Sequence, residues 1–141
     1  MMDFEKEIRD AVAEVTGDGL FEITHIIYDE KNFGNVLVQL KSNAKINVRF
    51  IKDRGDVWCE IGLAEEWFIV EDVLTVIGVQ IDSKGKELVE VIAKTTHVIK
   101  ENFVQIRGAF DKEHLSETTS TLKELATKRM MSLFSKVKGS K

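Results

Sequence analysis

Apolar and polar residues alternate one by one through three short stretches in the middle of the chain. Val36, Val38 and Leu40 make the first apolar set, Ile46, Val48 and Phe50 the second, and Val57, Cys59 and Ile61 the third. Gln39, Asn47, Arg49 and Glu60 fall between them. Successive side chains of a strand point to opposite faces, so each stretch lays one apolar row on a core and one polar row towards water. A slip of one residue would turn Arg49 and Glu60 inward, which pins the register. Ser42-Asn43-Ala44 and Asp53-Arg54-Gly55-Asp56 supply the residues that short hairpins use. Residues 20–28, LFEITHIIY, have the β-branched and aromatic content of a fourth strand. The pattern predicts a four-stranded antiparallel meander in sequential order, with one wet face.

Helical spacing takes over on either side. Phe4, Ile8, Ala11, Val12 and Val15 predict an N-terminal helix over 3–15, ended at Gly17 by left-handed backbone. Glu65-Glu66-Trp67-Phe68 reads as a link into a helix over 70–77, with Glu71 and Asp72 in its first turn and Gly78 at its end. After a connector over 79–83, Leu88, Ile92, Thr95, Ile99, Phe103 and Ile106 recur every three or four residues. They predict a long helix over 86–107, interrupted at Gly108. Asp111 then caps a last helix carrying Leu115, Thr119, Leu122, Ala126, Met130, Leu133 and Val137, and the terminal KGSK is expected to fray.

The fold class that follows is α+β: an N-terminal helix, the four-stranded antiparallel meander, then a short helix and two long C-terminal helices. The long helices would run about 33 and 37 Å, whereas strands of this length reach only ~20 Å. Either a helix breaks or the helical pair extends beyond the sheet, where a homodimer through the C-terminal helices would cover its apolar edge. A chain of 141 residues suits one domain, 1–141. The one compositional boundary lies near residue 84, between a helix-plus-sheet part (1–83) and a helical hairpin (84–141).

Composition narrows the class. The chain is 43% hydrophobic and 31% charged, has no proline, and carries one cysteine, Cys59. That excludes an internal disulfide framework and fits a cytoplasmic protein. The N-terminus is charged and amphipathic, so a signal peptide is not expected, and no apolar run reaches membrane-spanning length. Residues 122–141 hold Lys123, Lys128, Arg129, Lys136, Lys138 and Lys141 against Glu124, a net of +5, so the formal −4 leaves −9 on residues 1–121. An acidic body argues against nucleic acid as a partner, because phosphate contacts need Lys and Arg. It suits a basic protein instead.

Little in the chain carries catalytic chemistry. His25, His97 and His114 stand on separate elements without HExxH or CxxC spacing, so no metal or cofactor is expected and each reads as a surface or half-buried residue. Cys59 sits on an inward row with no basic neighbour, the setting of an inert thiol. Ser83-Lys84-Gly85-Lys86 could meet an anion at a helix start but lacks the pattern of a phosphate loop, and no GxSxG elbow occurs. Asp53, Asp56, Glu60, Glu65 and Glu66 crowd together, as a small hydrolase or a ligand-binding module would need. Acidic hairpin tips are also common for solubility alone. Arg54-Gly55-Asp56 reads as turn chemistry. More suggestive is the outward row, where Trp58 should lie beside Arg49 and Asn47, with Trp67 and Phe68 close behind. Aromatics and Arg anchor protein interfaces, which makes Arg49, Arg54, Trp58 and Glu60 the candidate partner-binding residues. If helices covered both sheet faces, Trp58 and Ile51 would instead be ordinary core.

The run KDRGDVWCEIG followed by EEWFIVEDVLTVIG resembles small uncharacterised bacterial proteins in which a strand, an Asp-Arg-Gly turn, a second strand and a short helix recur, some of them immunity-like. The likeness spans Asn47 to Gly78 and rests on turn and core residues, so it carries over no functional residue. The expected function is a non-enzymatic, immunity-like binding protein that engages a protein partner through its acidic body or the wet sheet face. The two other readings are the hydrolase or ligand-binding module using carboxylates near Asp53 and Glu60, and an oligomeric scaffold organised by the C-terminal helices.

Overall fold

The computed structural model describes residues 4–31, 34–63, 65–82 and 87–139, with 134–139 described through their backbone alone. The alternating stretches form β2 (Asn35–Ser42), β3 (Ile46–Asp53) and β4 (Asp56–Leu63), preceded by β1 (Phe21–Asp29). They pair antiparallel in sequence order, with Val38 opposite Phe50, Phe50 opposite Cys59 and Arg49 opposite Glu60. A fifth strand, β5 (Glu66–Ile69), extends the sheet beyond β4. The expected meander is therefore one strand short: the EEWF segment is not a link but a ladder partner, too brief for its alternation to be visible.

Both hairpins turn through left-handed backbone. Arg54 and Gly55 have φ of 53° and 90° between the paired Asp53 and Asp56, the doubly left-handed two-residue turn that matches strand twist. Between β2 and β3, Lys45 takes the left-handed position (φ 64°), and the Ser42 hydroxyl accepts the Ile46 N–H at 3.2 Å.

One face of the sheet is the core face. Val36, Val38, Leu40, Ile46, Val48, Phe50, Cys59 and Ile61 are all buried there. Ile8, Val12 and Val15 from α1 (Phe4–Ala11) and α2 (Ala13–Thr16) join the same cluster, as do Val70, Val73 and Leu74 from α3 (Val70–Val76). Leu88, Ile92 and Ile99 come from α4 (Leu88–Glu101), and Phe103 and Ile106 from α5 (Phe103–Ala109). Each such side chain contributes about 1.5–3 kcal/mol by leaving water.

Three helix expectations need correction. The N-terminal helix is divided at Val12 (φ −99°, ψ 3°), and Gly17 is right-handed (φ −65°). The left-handed residue is Gly19 (φ 80°), two positions later. The helix expected over 86–107 is also two helices, α4 and α5. The unexpected break falls at Asn102 (φ −114°, ψ 16°), whereas the stop expected at Gly108 comes one residue later, where α5 ends at Ala109. The Asn102 side-chain N–H donates to the Val98 carbonyl at 2.9 Å, and the bend lets Phe103 pack edge-on against Phe21 at 5.5 Å. Four helices thus follow the sheet, not three. The helix break and the overhang both occur, because α6 (Leu115–Gly139) runs unbroken. Asp111 accepts the His114 N–H at 3.0 Å just before it, as a cap would. The anion site considered at Ser83–Lys86 lies outside the described residues.

Candidate functional site

Pairing of β1 to β5 orders the outward side chains into rows across the sheet. Ile27, Leu37, Ile51 and Trp58 are successive cross-strand partners and form an apolar row. Two residues along, His25, Gln39, Arg49, Glu60 and Ile69 form a mostly polar row. Lys41, Asn47, Gly62 and Trp67 form the next. Beyond the apolar row, at the strand ends, stand Asp29, Asp53 and Asp56.

No described helix covers this face. Helices α1 to α5 contribute to the core on the other side, while Ile27 is 50% exposed and Leu37, Ile51 and Trp58 are only half-buried. Trp58 is therefore not a core residue. Its cross-strand neighbour is Ile51, not Arg49 as the spacing suggested.

Arg49 has other partners. Its Nε and Nη2 both donate to Glu60 Oε1 at 2.6 Å, and its guanidinium sits 4.1 Å from the centre of the Trp67 ring. Trp67 in turn lies flat over Gly62, where a Cβ would come within 2.7 Å of the ring. A half-buried, bidentate and stacked Arg of this kind is held more firmly than a surface ion pair. The structure thus brings Arg49 and Glu60 into direct contact, with Trp58 on the same face two residues from Glu60. Arg54 stands apart at the hairpin tip, where its backbone N–H donates to Asn35 Oδ1 at 3.0 Å. Ile51 and Trp67 join this face as expected, Phe68 turns to the core side opposite Ile61, and Ile27 and Leu37 are members that the spacing did not show. The β-bulge between Ile23 and His25 scrambles the alternation that would have revealed Ile27.

The other candidates resolve differently. Cys59 is fully buried, and its thiol is pushed well up, first by burial and then by the Glu71 and Glu60 carboxylates. The histidines are exposed: His97 bridges Glu14 and Glu101 at 2.8 and 2.9 Å, and His114 meets Asp111 at 2.8 Å. Hydrogen bonds to those carboxylates raise the pKa of both. Asp53 and Asp56 face one another across the exposed tip, and Glu60 is engaged by Arg49. Among the described residues no group of three His, Cys, Asp or Glu is placed to hold a metal ion, and no helix is long and apolar enough to cross a membrane.

An open groove of about 720 Å³ runs between α3, α5 and α6, with Val76, Ile77 and Leu125 on its walls and His114 and Glu117 at its edge. It brings together no nucleophile with a base: the Thr118 hydroxyl on its floor donates to the Ala109 carbonyl. Helix α6 meets the body through Thr118 and Leu122, both buried, and through Arg129, which is ion-paired to the buried Asp72 of α3. Past Arg129, Met130, Met131 and Leu133 are 71%, 66% and 59% exposed.

No protein-family model, curated protein or solved structure matches this chain.

Proposed function

We propose that this chain is a non-enzymatic binding protein, immunity-like in its mode of action, whose open sheet face takes a basic protein partner. The carrying observation is the uncovered row Ile27–Leu37–Ile51–Trp58 with Asp29, Asp53 and Asp56 along its border. An apolar strip edged by carboxylates complements a partner segment that has an apolar ridge flanked by Lys or Arg, and the −9 on residues 1–121 would steer such a partner in. The stacked Arg49, Glu60 and Trp67 give the face a rigid centre, which lowers the ordering cost of binding.

The test is capture from an extract of the source cell, followed by titration of the purified partner against Trp58→Ala. The half-buried Trp58 should cost the fold less than about 2 kcal/mol, below the ~3–5 of a core aromatic. As an interface anchor it should lower affinity about 30-fold, equivalent to ~2 kcal/mol. A core-sized loss of stability, or a partner that binds the variant undiminished, would remove the basis of the reading.

A second reading, self-association through α6, is favoured by the exposed Met130, Met131 and Leu133. Light scattering decides it: a dimer mass at micromolar concentration that reverts to monomer in Met130→Glu/Leu133→Glu supports it, and a monomeric wild type ends it.

A further inference from the structure

At the end of the sheet, where the β2–β3 turn meets the link between α5 and α6, lies a cleft of about 450 Å³. We propose that it binds a small amphiphilic anion, a carboxylate or phosphate head on an apolar body, with a hydroxyl beside the head.

Charge comes first. Lys41 from β2, Lys45 from the turn and Lys112 from the link all line this cleft, in the part of the chain that is otherwise acidic. None of the three is ion-paired among the described residues: the ion pairs of this molecule involve other cations. Glu22 stands opposite Lys41 across the β1–β2 ladder without an ion pair to it, and like charges gathered on one cleft repel one another, so an anion between the three lysines reverses the sign of that term.

The cleft also has an apolar wall. Leu63, Phe110 and Leu115 contribute to it, and Phe110 is itself fixed by stacking on Phe68 at 6.4 Å. A volume of a few hundred Å³, largely apolar with a few convergent polar groups, is what small-ligand sites present.

Two further features point the same way. Asn47 lines the cleft, and its Oδ1 is buried with no hydrogen-bond partner among the described residues. An orphaned buried acceptor costs about 1–3 kcal/mol, and a turn of the half-buried Asn47 amide that brings this oxygen to the cleft would let a ligand hydroxyl satisfy it. Lys45 occupies a left-handed turn position (φ 64°) that Gly or Asn would fill with less strain. Such outliers recur at ligand clamps, and this one holds a cation on the lining of the cleft.

The experiment is an NMR titration of the ¹⁵N-labelled full chain with three probes: decanoate, 3-hydroxydecanoate and decanol. Decanoate should give saturable shifts confined to the β2–β3 turn, Asn47, Leu63 and residues 110–115. Decanol should bind about 10-fold more weakly, and 3-hydroxydecanoate more tightly than decanoate. Lys41→Gln, Lys45→Gln and Lys112→Gln should each weaken decanoate about 2- to 5-fold, the range of an exposed ion pair. Asn47→Leu should abolish the preference for the hydroxylated acid. The amide spectrum of each variant shows whether the fold is retained. Equal affinity for decanol and decanoate, shifts centred on the Trp58 row, or no saturable shift would each overturn the assignment.

Discussion

Gly62 shows how much of this molecule rests on single positions. A Cβ there would meet the Glu66 carbonyl at 2.6 Å and the Trp67 ring at 2.7 Å, and the carbonyl is backbone that cannot swing aside. Gly62→Ala should therefore push β5 away from β4, at about 1–3 kcal/mol, and lift Trp67 from under Arg49. Urea midpoints and Trp67 emission, read in a Trp58→Phe background, check both effects; an unchanged midpoint would show that the hairpin yields freely. Thr95 offers the opposite case. It is fully buried on α4, and its hydroxyl has no partner among the described residues. Thr95→Val keeps the shape and removes the unsatisfied group, so it should stabilise by about 1 kcal/mol, or roughly 2–6 °C in Tm. A fall in Tm would mean that the hydroxyl has a bonding role.

At the scale of elements, the helical layer is joined by a few side-chain bridges. His97 on α4 holds Glu14 on α2 and Glu101 on its own helix, and Lys100 donates to the Glu14 carbonyl at 3.2 Å. Because the native pKa of His97 is raised by these carboxylates, its contribution is present in full below the unfolded value of about 6.5. It fades as pH rises through the higher native value. The Tm difference between wild type and His97→Gln should thus be largest just below that pH, above the carboxylate range, and should shrink towards alkaline pH. A difference that grows with pH would contradict the bridge. Helix α6 depends on its own anchor, Arg129 on the buried Asp72, with Lys123 near Glu66 at 3.8 Å. Beyond that anchor the helix backbone runs on for roughly 15 Å, and Met130, Met131 and Leu133 on it are mostly exposed.

For the whole molecule, the decisive asymmetry is that helices occupy one face of a five-stranded sheet. The other face keeps an apolar row beside acids, and residues 122–141 carry a net positive charge against the acidic remainder. If a basic partner is drawn to the acidic body, its association rate should fall steeply with ionic strength while dissociation changes little. Stopped-flow mixing at low and high salt measures this, and a salt-independent association rate would count against electrostatic steering. The two C-terminal regions also illustrate what a hydrophobic stripe does and does not specify. Leu88 to Ile106 keeps its three-and-four spacing straight through the break at Asn102, since both halves face the same core. Gly108, facing open space, stands one residue before the end of α5, as a residue that weakens a helix can.

The chain by itself determined strands β1 to β4, the face that each residue of β2 to β4 takes, the hairpin turns, the existence of α3 and α6, and the inward place of Cys59. These follow from side-chain periodicity and turn stereochemistry, which act over a few residues and leave a local trace. Only the tertiary structure decided that EWFI pairs with β4, that the helices leave Trp58 and Ile51 half exposed, and that Arg49 stacks on Trp67. It also decided that Lys41, Lys45 and Lys112 line one cleft beside Asn47, whose Oδ1 has no hydrogen-bond partner among the described residues. Burial is a property of what packs against a side chain. Leu37 and Val38 are both apolar and alternation puts them on opposite faces, but the placing of the helices is what decides how deeply each is buried.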